Sequence, residues 1–265
     1  MILTRIRQDD PFSYGYNPIT TMEETENNTM MDFGIFRLAK DQVVVDADQK
    51  ERAFLLIQGE VSFEWEGKKE TAKRKSCFDD DPWVLHVPQG VQVKITGLAE
   101  TEVCLTKTTN DTVFPAKLYT DKECASEERG KGTMREASTR IVRTVFDYFN
   151  ASYSNLVLGE VVNYPGKWSS YPPHYHSQPE IYFYKFNPGN GYGFCELGED
   201  VVKLKNNDMV KILDVTHPQT TAPGYAMYYI WVIRHLDGNP YITPIFVPEH
   251  LWVTDKDAKI WPHKE

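Results

Sequence analysis

Trp168-Ser-Ser-Tyr-Pro-Pro-His174-Tyr-His176-Ser-Gln-Pro-Glu180-Ile-Tyr-Phe-Tyr184 is the stretch on which the reading of this chain turns. Pro172 and Pro173 fix φ and push their predecessors towards extended backbone, so the segment bearing the two histidines reads as strand. On a strand, residues at i and i+2 point to the same side, which puts His174 and His176 together. Glu180 then opens the run Ile181-Tyr-Phe-Tyr-Lys-Phe186, aromatic and of strand length. A third histidine, His217, follows in Thr216-His-Pro-Gln-Thr-Thr-Ala-Pro-Gly224. Seven histidines in 265 residues produce a His-x-His pair by chance often enough that the pair alone says little. The prolines, Glu180 and His217 lift it above chance: three imidazoles and one carboxylate suit a divalent ion such as zinc, manganese, iron or nickel.

The chain around this stretch reads as β throughout. Gln42–Asp46, Phe54–Ile57, Val61–Trp65, Trp83–Val87, Val91–Ile95 and Glu102–Thr106 are short and rich in β-branched or aromatic residues. Gly59, Gly67, Pro88-Gln-Gly90 and Gly97 punctuate them. Leu156–Val162, Ile181–Phe186, Gly193–Leu197, Val201–Leu204, Met209–Leu213 and Met227–Ile233 repeat the design. Both halves run strand, Gly turn, strand, charged hairpin, and a strand ending near Pro or His, so an internal duplication of a jelly-roll barrel is expected. The polar, glycine-bearing segment from Asp121 to Thr133 reads as the connector, with room for a short helix before Gly130. The expected domains are residues 1–122, a barrel without metal, and residues 123–265, a barrel with the metal site. His86 is the one histidine of the first half, too few for the same centre.

Composition narrows the classes. The net charge of −9 and the absence of a Lys/Arg-rich block argue against nucleic acid or an anionic membrane as partner. No run of 18 apolar residues and no signal-peptide h-region occur, from which a cytoplasmic protein is expected. Cys77, Cys104, Cys124 and Cys195 have no C-x-x-C spacing, and Cys104 and Cys195 fall in strand-like runs, as buried free thiols do. Neither a Gly-x-Gly-x-x-Gly fingerprint nor a P-loop is present, so a nucleotide cofactor has no seat.

His-x-His, a Glu opening the next strand and a His on a later one resemble the metal set of the cupin superfamily. Trp168–His174, Glu180-Ile-Tyr, His217-Pro, Ala222-Pro-Gly-Tyr and Tyr228-Tyr-Ile resemble, more closely, the 5-deoxy-glucuronate isomerases of inositol catabolism. Arg129-Gly-Lys-Gly and Arg140-Ile-Val-Arg-Thr-Val are similar to that family's segment after the first barrel. The resemblance implies a bicupin, with the metal held by His174, His176, Glu180 and His217. It implies an aldose–ketose interconversion of 5-deoxy-glucuronate and 5-dehydro-2-deoxy-gluconate, and association into a homo-oligomer. The 4-deoxy-L-threo-5-hexosulose-uronate isomerases share the ligand set. The chain departs from the family in having only Ser177-Gln-Pro179 between the second His and the Glu, Thr216 before His217, and Arg234-His235 at a strand end.

Strand alternation puts Tyr182 and Tyr184 on the side of Glu180, with Ile181 and Phe183 opposite. Each tyrosine is open to two readings: a catalytic hydroxyl beside a cation, or an amphipathic core residue with its hydroxyl satisfied. A sugar-acid substrate asks for a cation to receive its carboxylate, and arginine suits that bidentately. Lys167, Lys185, Arg140 and Arg234 are the candidates, each more often a plain surface charge, and Gln219 is placed to face the site. Arg129 and Arg140 are also expected to join the two barrels through carboxylate or backbone contacts. Trp231, Trp252 and Trp261 read as core or interface, Trp83 as part of a strand, and His250 as a structural histidine near the second barrel's mouth. Two other classes share the ligand pattern, an iron-dependent cupin dioxygenase and a non-catalytic sugar-binding cupin.

Overall fold

The computed structural model describes residues 4–8, 10–124 and 126–262. The outermost ends of the expected domains, 1–3 and 263–265, lie outside them. In the first half the organising element is the strand Glu51–Trp65. Its beginning pairs with Trp83–Val87 and Thr101–Thr108, and its end with Lys68–Arg74 and Val93–Gly97. Gly59 sits where the strand passes from one set of partners to the other, at φ +105°, and a Cβ there would stand 2.4 Å from the Glu100 carbonyl oxygen. Only glycine carries the chain round this corner. Phe36, Phe54, Phe63 and Trp65 fill the barrel so closed.

The second half holds a seven-stranded sheet. Its order is Arg5–Ile6, Met209–Ile212, Glu180–Asn187, Ala226–Arg234, Leu156–Asn163, Arg140–Phe146 and Glu127–Arg129. A four-stranded sheet of Trp168–Ser169, Gln219–Thr221, Tyr192–Leu197 and Asp200–Lys205 accompanies it. Along Glu180–Asn187 the period of two sorts the side chains: Tyr182, Tyr184 and Phe186 join the interior with Val142, Val161 and Tyr229. Ile181 and Phe183 face away, into a cluster shared with Phe33, Ile35 and Leu55 of the first half. Phe183 lies 5.8 Å from Phe33 and 6.2 Å from Phe12, ring centre to ring centre. Both faces of these strands are therefore covered, one by the barrel interior and one by the other barrel, which is why they read as continuous apolar runs.

Polar groups cross the same interface. Glu160 accepts from both Nη atoms of Arg74 at 3.0 and 2.5 Å, from Arg143 at 2.8 Å and from the Tyr228 hydroxyl at 2.7 Å. Glu51 meets His86 at 2.7 Å and accepts from Asn110, Ser154 and the Asn155 amide. Lys185 pairs with Glu102 at 2.7 Å. The joining role expected of Arg129 and Arg140 thus belongs to Arg74, Arg143 and Lys185. Arg140 occupies an inward register two residues from Val142, and Arg129 lies on the edge strand, half exposed, paired with Glu127.

One further reading is corrected. The connector forms the strand Glu127–Arg129, and its helical turn, Met134–Glu136, follows Gly130. Trp252 and Trp261 are 53% and 81% exposed and fill no core within the chain. The strand Arg5–Ile6 crosses to the second half, pairing with Met209 and Val210. The four cysteines are free and buried. Among the described residues no helix is long and apolar enough to cross a membrane.

Candidate metal centre

The two-residue strand His174–Tyr175 is clamped by Ile245–Phe246 of the C-terminal segment, and the Val247 amide donates to the Pro173 carbonyl at 2.9 Å. The Tyr241 ring packs edge-on against His176 at 4.8 Å. Glu180 enters from the seven-stranded sheet and His217 from the loop before Gln219–Thr221.

Each imidazole is pinned through Nδ1. That of His174 lies 3.0 Å from the Pro172 carbonyl, that of His176 2.8 Å from Gln178 O and that of His217 2.8 Å from Val215 O. A carbonyl only accepts, so each Nδ1 carries the hydrogen and donates it. Nε2 is left to bind, in the arrangement that orients metal-ligating histidines. His176 Nε2 and His217 Nε2 lie 3.2 and 3.5 Å from Glu180 Oε2. The three donor atoms all fall within 4.8 Å of one another.

Electrostatics shows what the cluster lacks. His217 Nε2 is buried and has no hydrogen-bond partner among the described residues. Burial, with His174 and His176 nearby, holds the His217 pKa well below the ordinary value, and burial takes His174 down to about 4. Burial pushes Glu180 up, with the neighbouring His176 and Tyr182 acting against it. A neutral imidazole aiming its lone pair at a carboxylate oxygen out of water is unfavourable until a cation sits between them. The residues His176, Glu180 and His217 fit a divalent ion. His174 lines the same cavity, its ring edge-on to His217 at 4.7 Å, outside the tight group of three.

Above this group the cavity is walled by Arg140, Tyr182, Tyr229, Trp231 and Tyr241. The Tyr182 hydroxyl lies 3.1 Å from Ser170 Oγ, and that of Tyr229 2.6 Å from Ser169 Oγ. Gly159, paired with Trp231 across the sheet, makes room for the indole, since a Cβ there would lie 2.3 Å from it. Tyr184 stands one layer deeper, fully buried beside Cys195 and away from the cavity wall. Of the other candidates, Lys185 is spent on Glu102, and Arg234 donates to Thr108 Oγ1 and two backbone carbonyls. Gln219 is buried off the cavity, Lys167 is half-buried outside it, and His250 faces solvent beside Glu249. Sequence reasoning missed Tyr229, Trp231, Ile233 and Tyr241. The first three lie at alternate positions of Ala226–Arg234 and follow from the period of two once its inward face is known. Tyr241 belongs to an irregular segment and carries no periodic signal.

Comparison with known proteins agrees with this architecture. The chain is 27% identical over 260 residues to the 5-deoxy-glucuronate isomerase of Geobacillus kaustophilus, covering 90% of this chain and 91% of that one. It is 26% identical over 263 residues to the same-named protein of Geobacillus thermodenitrificans, covering 90% and 92%. Among solved structures, an IolB-like protein of Salmonella typhimurium superposes with a TM-score of 0.83 at 21% identity, over 92% of this chain and 97% of that one. Oxalate decarboxylase of Lactobacillus farciminis, at 11% identity, gives 0.64 over 91% and 86%. The fold is an all-β bicupin. The model of the KduI/IolB family matches residues 6–253, and the chain belongs to that family.

Proposed function

We propose that this protein is a metal-dependent aldose–ketose isomerase that converts 5-deoxy-glucuronate to 5-dehydro-2-deoxy-gluconate. The observation that carries this reading is the convergence of the His176 and His217 lone pairs on Glu180, under a wall of hydroxyl groups and an arginine. The relatives named 5-deoxy-glucuronate isomerase, matched over nine-tenths of the chain, support the substrate. The reading places the metal in the second barrel, 123–265, on His174, His176, Glu180 and His217, and none in the first, 1–122. A zinc or manganese ion there supplies Lewis-acid polarisation of a carbonyl and its neighbouring hydroxyl.

The chain's own residues do the rest. The Nδ1 contacts to Pro172, Gln178 and Val215 hold the rings in one tautomer and orientation. Tyr182 is the proton-handling residue. Burial, then the charge of Glu180, raises its pKa well above the ordinary phenol value, so it keeps its proton at neutral pH and donates to an oxygen gaining negative charge. Ser170 Oγ, at 3.1 Å, orients that hydroxyl. Tyr241 and Trp231 narrow the mouth and exclude water.

The test is to incubate metal-loaded protein with 5-deoxy-glucuronate and, separately, with 4-deoxy-L-threo-5-hexosulose-uronate, following products by NMR. Preference for the first supports the proposal, and preference for the second moves the substrate within the family. Turnover of neither, at full metal occupancy, removes it.

A further inference from the structure

We propose that Arg140 receives the carboxylate of the substrate through its Nε–Nη2 edge, so that the site selects sugars ending in a carboxylate over their neutral counterparts. The inference deepens the isomerase reading and rests on it for the word substrate. It comes from comparing the buried arginines. Arg52 is paired with Asp46, Arg74 with Glu160, and Arg143 with Glu160 and Asp81. Arg234 forms no ion pair among the described residues, yet its Nε, Nη1 and Nη2 all donate to oxygens.

Arg140 differs from all of these. It is 8% exposed, and among the described residues only its Nη1 is engaged, donating to Ser138 O at 2.8 Å and Ser138 Oγ at 3.0 Å. Among the described residues no carboxylate pairs with it. A buried guanidinium is costly unless it is paired, and its Nε–Nη2 edge has the geometry of a carboxylate. Burial lowers its pKa somewhat, but a guanidinium stays charged at any physiological pH.

The location agrees. The cavity over His176, Glu180 and His217 and a second, larger cleft, whose lining includes the exposed Thr133 and Thr243, share Arg129, Arg140, His174 and Tyr241 as common wall. Arg140 therefore stands at the neck between solvent and the metal ligands. Arg129, at the same neck, is half exposed and already paired with Glu127 at 2.9 Å. A chain whose carbonyl end lies over the ligands has its far end near this neck.

D-Glucuronate and D-glucose differ only in the carboxylate at C6, and their binding to the metal-loaded protein, measured by calorimetry, isolates this contact. The wild type should bind glucuronate more tightly, by about 100-fold, and Arg140→Met should erase that preference with the metal retained. Arg140→Lys, which keeps charge without the two-pronged edge, should fold even if the Met variant does not and should lose about 10-fold of glucuronate affinity. No preference in the wild type, or an unchanged preference in either variant, overturns the assignment. A wild type that binds glucuronate through Arg140 yet isomerises no uronate would leave the carboxylate site standing and remove the isomerase reading. Isomerisation with an unchanged uronate KM in Arg140→Met would do the opposite.

Discussion

Replacing Glu160 by Gln should be among the most damaging single changes outside the metal centre. The carboxylate is fully buried between the barrels, where Arg74, Arg143 and Tyr228 place four hydrogen bonds on its two oxygens. Glutamine fills nearly the same volume but removes the only carboxylate paired with Arg74 among the described residues, and the Arg74 side chain is 0% exposed. Taking one partner from a buried ion pair costs roughly 3–5 kcal/mol, because the other charge stays out of water. Arg143 keeps Asp81 at 3.0 Å, and Arg74 keeps the Leu56 and Asp80 carbonyls, so the lower end applies, about 3 kcal/mol. For a domain above 150 residues, 1 kcal/mol moves Tm by about 2–4 °C, which gives a fall of roughly 6–12 °C. Scanning calorimetry on metal-loaded protein reads this directly. The double change Arg74→Met with Glu160→Met should be milder than Glu160→Met alone, since it removes both charges and leaves apolar packing. A Tm within about 2 °C of wild type for Glu160→Gln would refute the view that this network ties the barrels together.

Other perturbations separate the roles assigned above. His176→Ala and His217→Ala should each lower metal retention, measured by elemental analysis after dialysis, by more than the roughly 10–100-fold typical of losing a supporting contact. His86→Ala should leave the metal in place, its partner being Glu51 on the neighbouring strand of the first barrel. Tyr182→Phe should retain the metal and lower kcat by about 10²-fold or more, whereas Tyr184→Phe, one layer below, should stay near wild type. Burial alone would raise the Glu51 carboxyl, but His86, Ser154 and Asn155 outweigh it and hold its pKa below the ordinary 4.5. Its contribution to stability is therefore present above pH 4.5 and lost as pH falls through the lower folded-state value, so Glu51→Gln should be less stable at pH 7 but flatten the acid side of the Tm–pH curve.

The parts of this molecule that repeat locally were legible in its sequence. The alternation through Glu180–Phe186, the His-x-His step after two prolines and the glycine-punctuated strands have a period of two, and a period survives without knowledge of partners. What stayed hidden depends on long-range pairing. Arg5–Ile6 looks like any short chain end, and only its register against Met209 and Val210 gives it a place. The segment from Tyr241 to Val247, which clamps the His174 strand, has no run long enough to read. Arg129 and Arg140 are both arginines beside the connector. Both line the cavity, and which one is buried there is set by the pairing of Arg140 with Asn163, a contact between residues far apart in the chain.

The most direct test is a metal titration. Protein stripped with chelator is given zinc or manganese stepwise under argon, with 5-deoxy-glucuronate conversion followed by NMR and bound metal measured in parallel. One centre built by His174, His176, Glu180 and His217 predicts activity rising linearly to one metal per chain, with 5-dehydro-2-deoxy-gluconate as product and no need for oxygen. Activity independent of bound metal, a product formed only when oxygen is admitted, or no conversion at one metal per chain would contradict it.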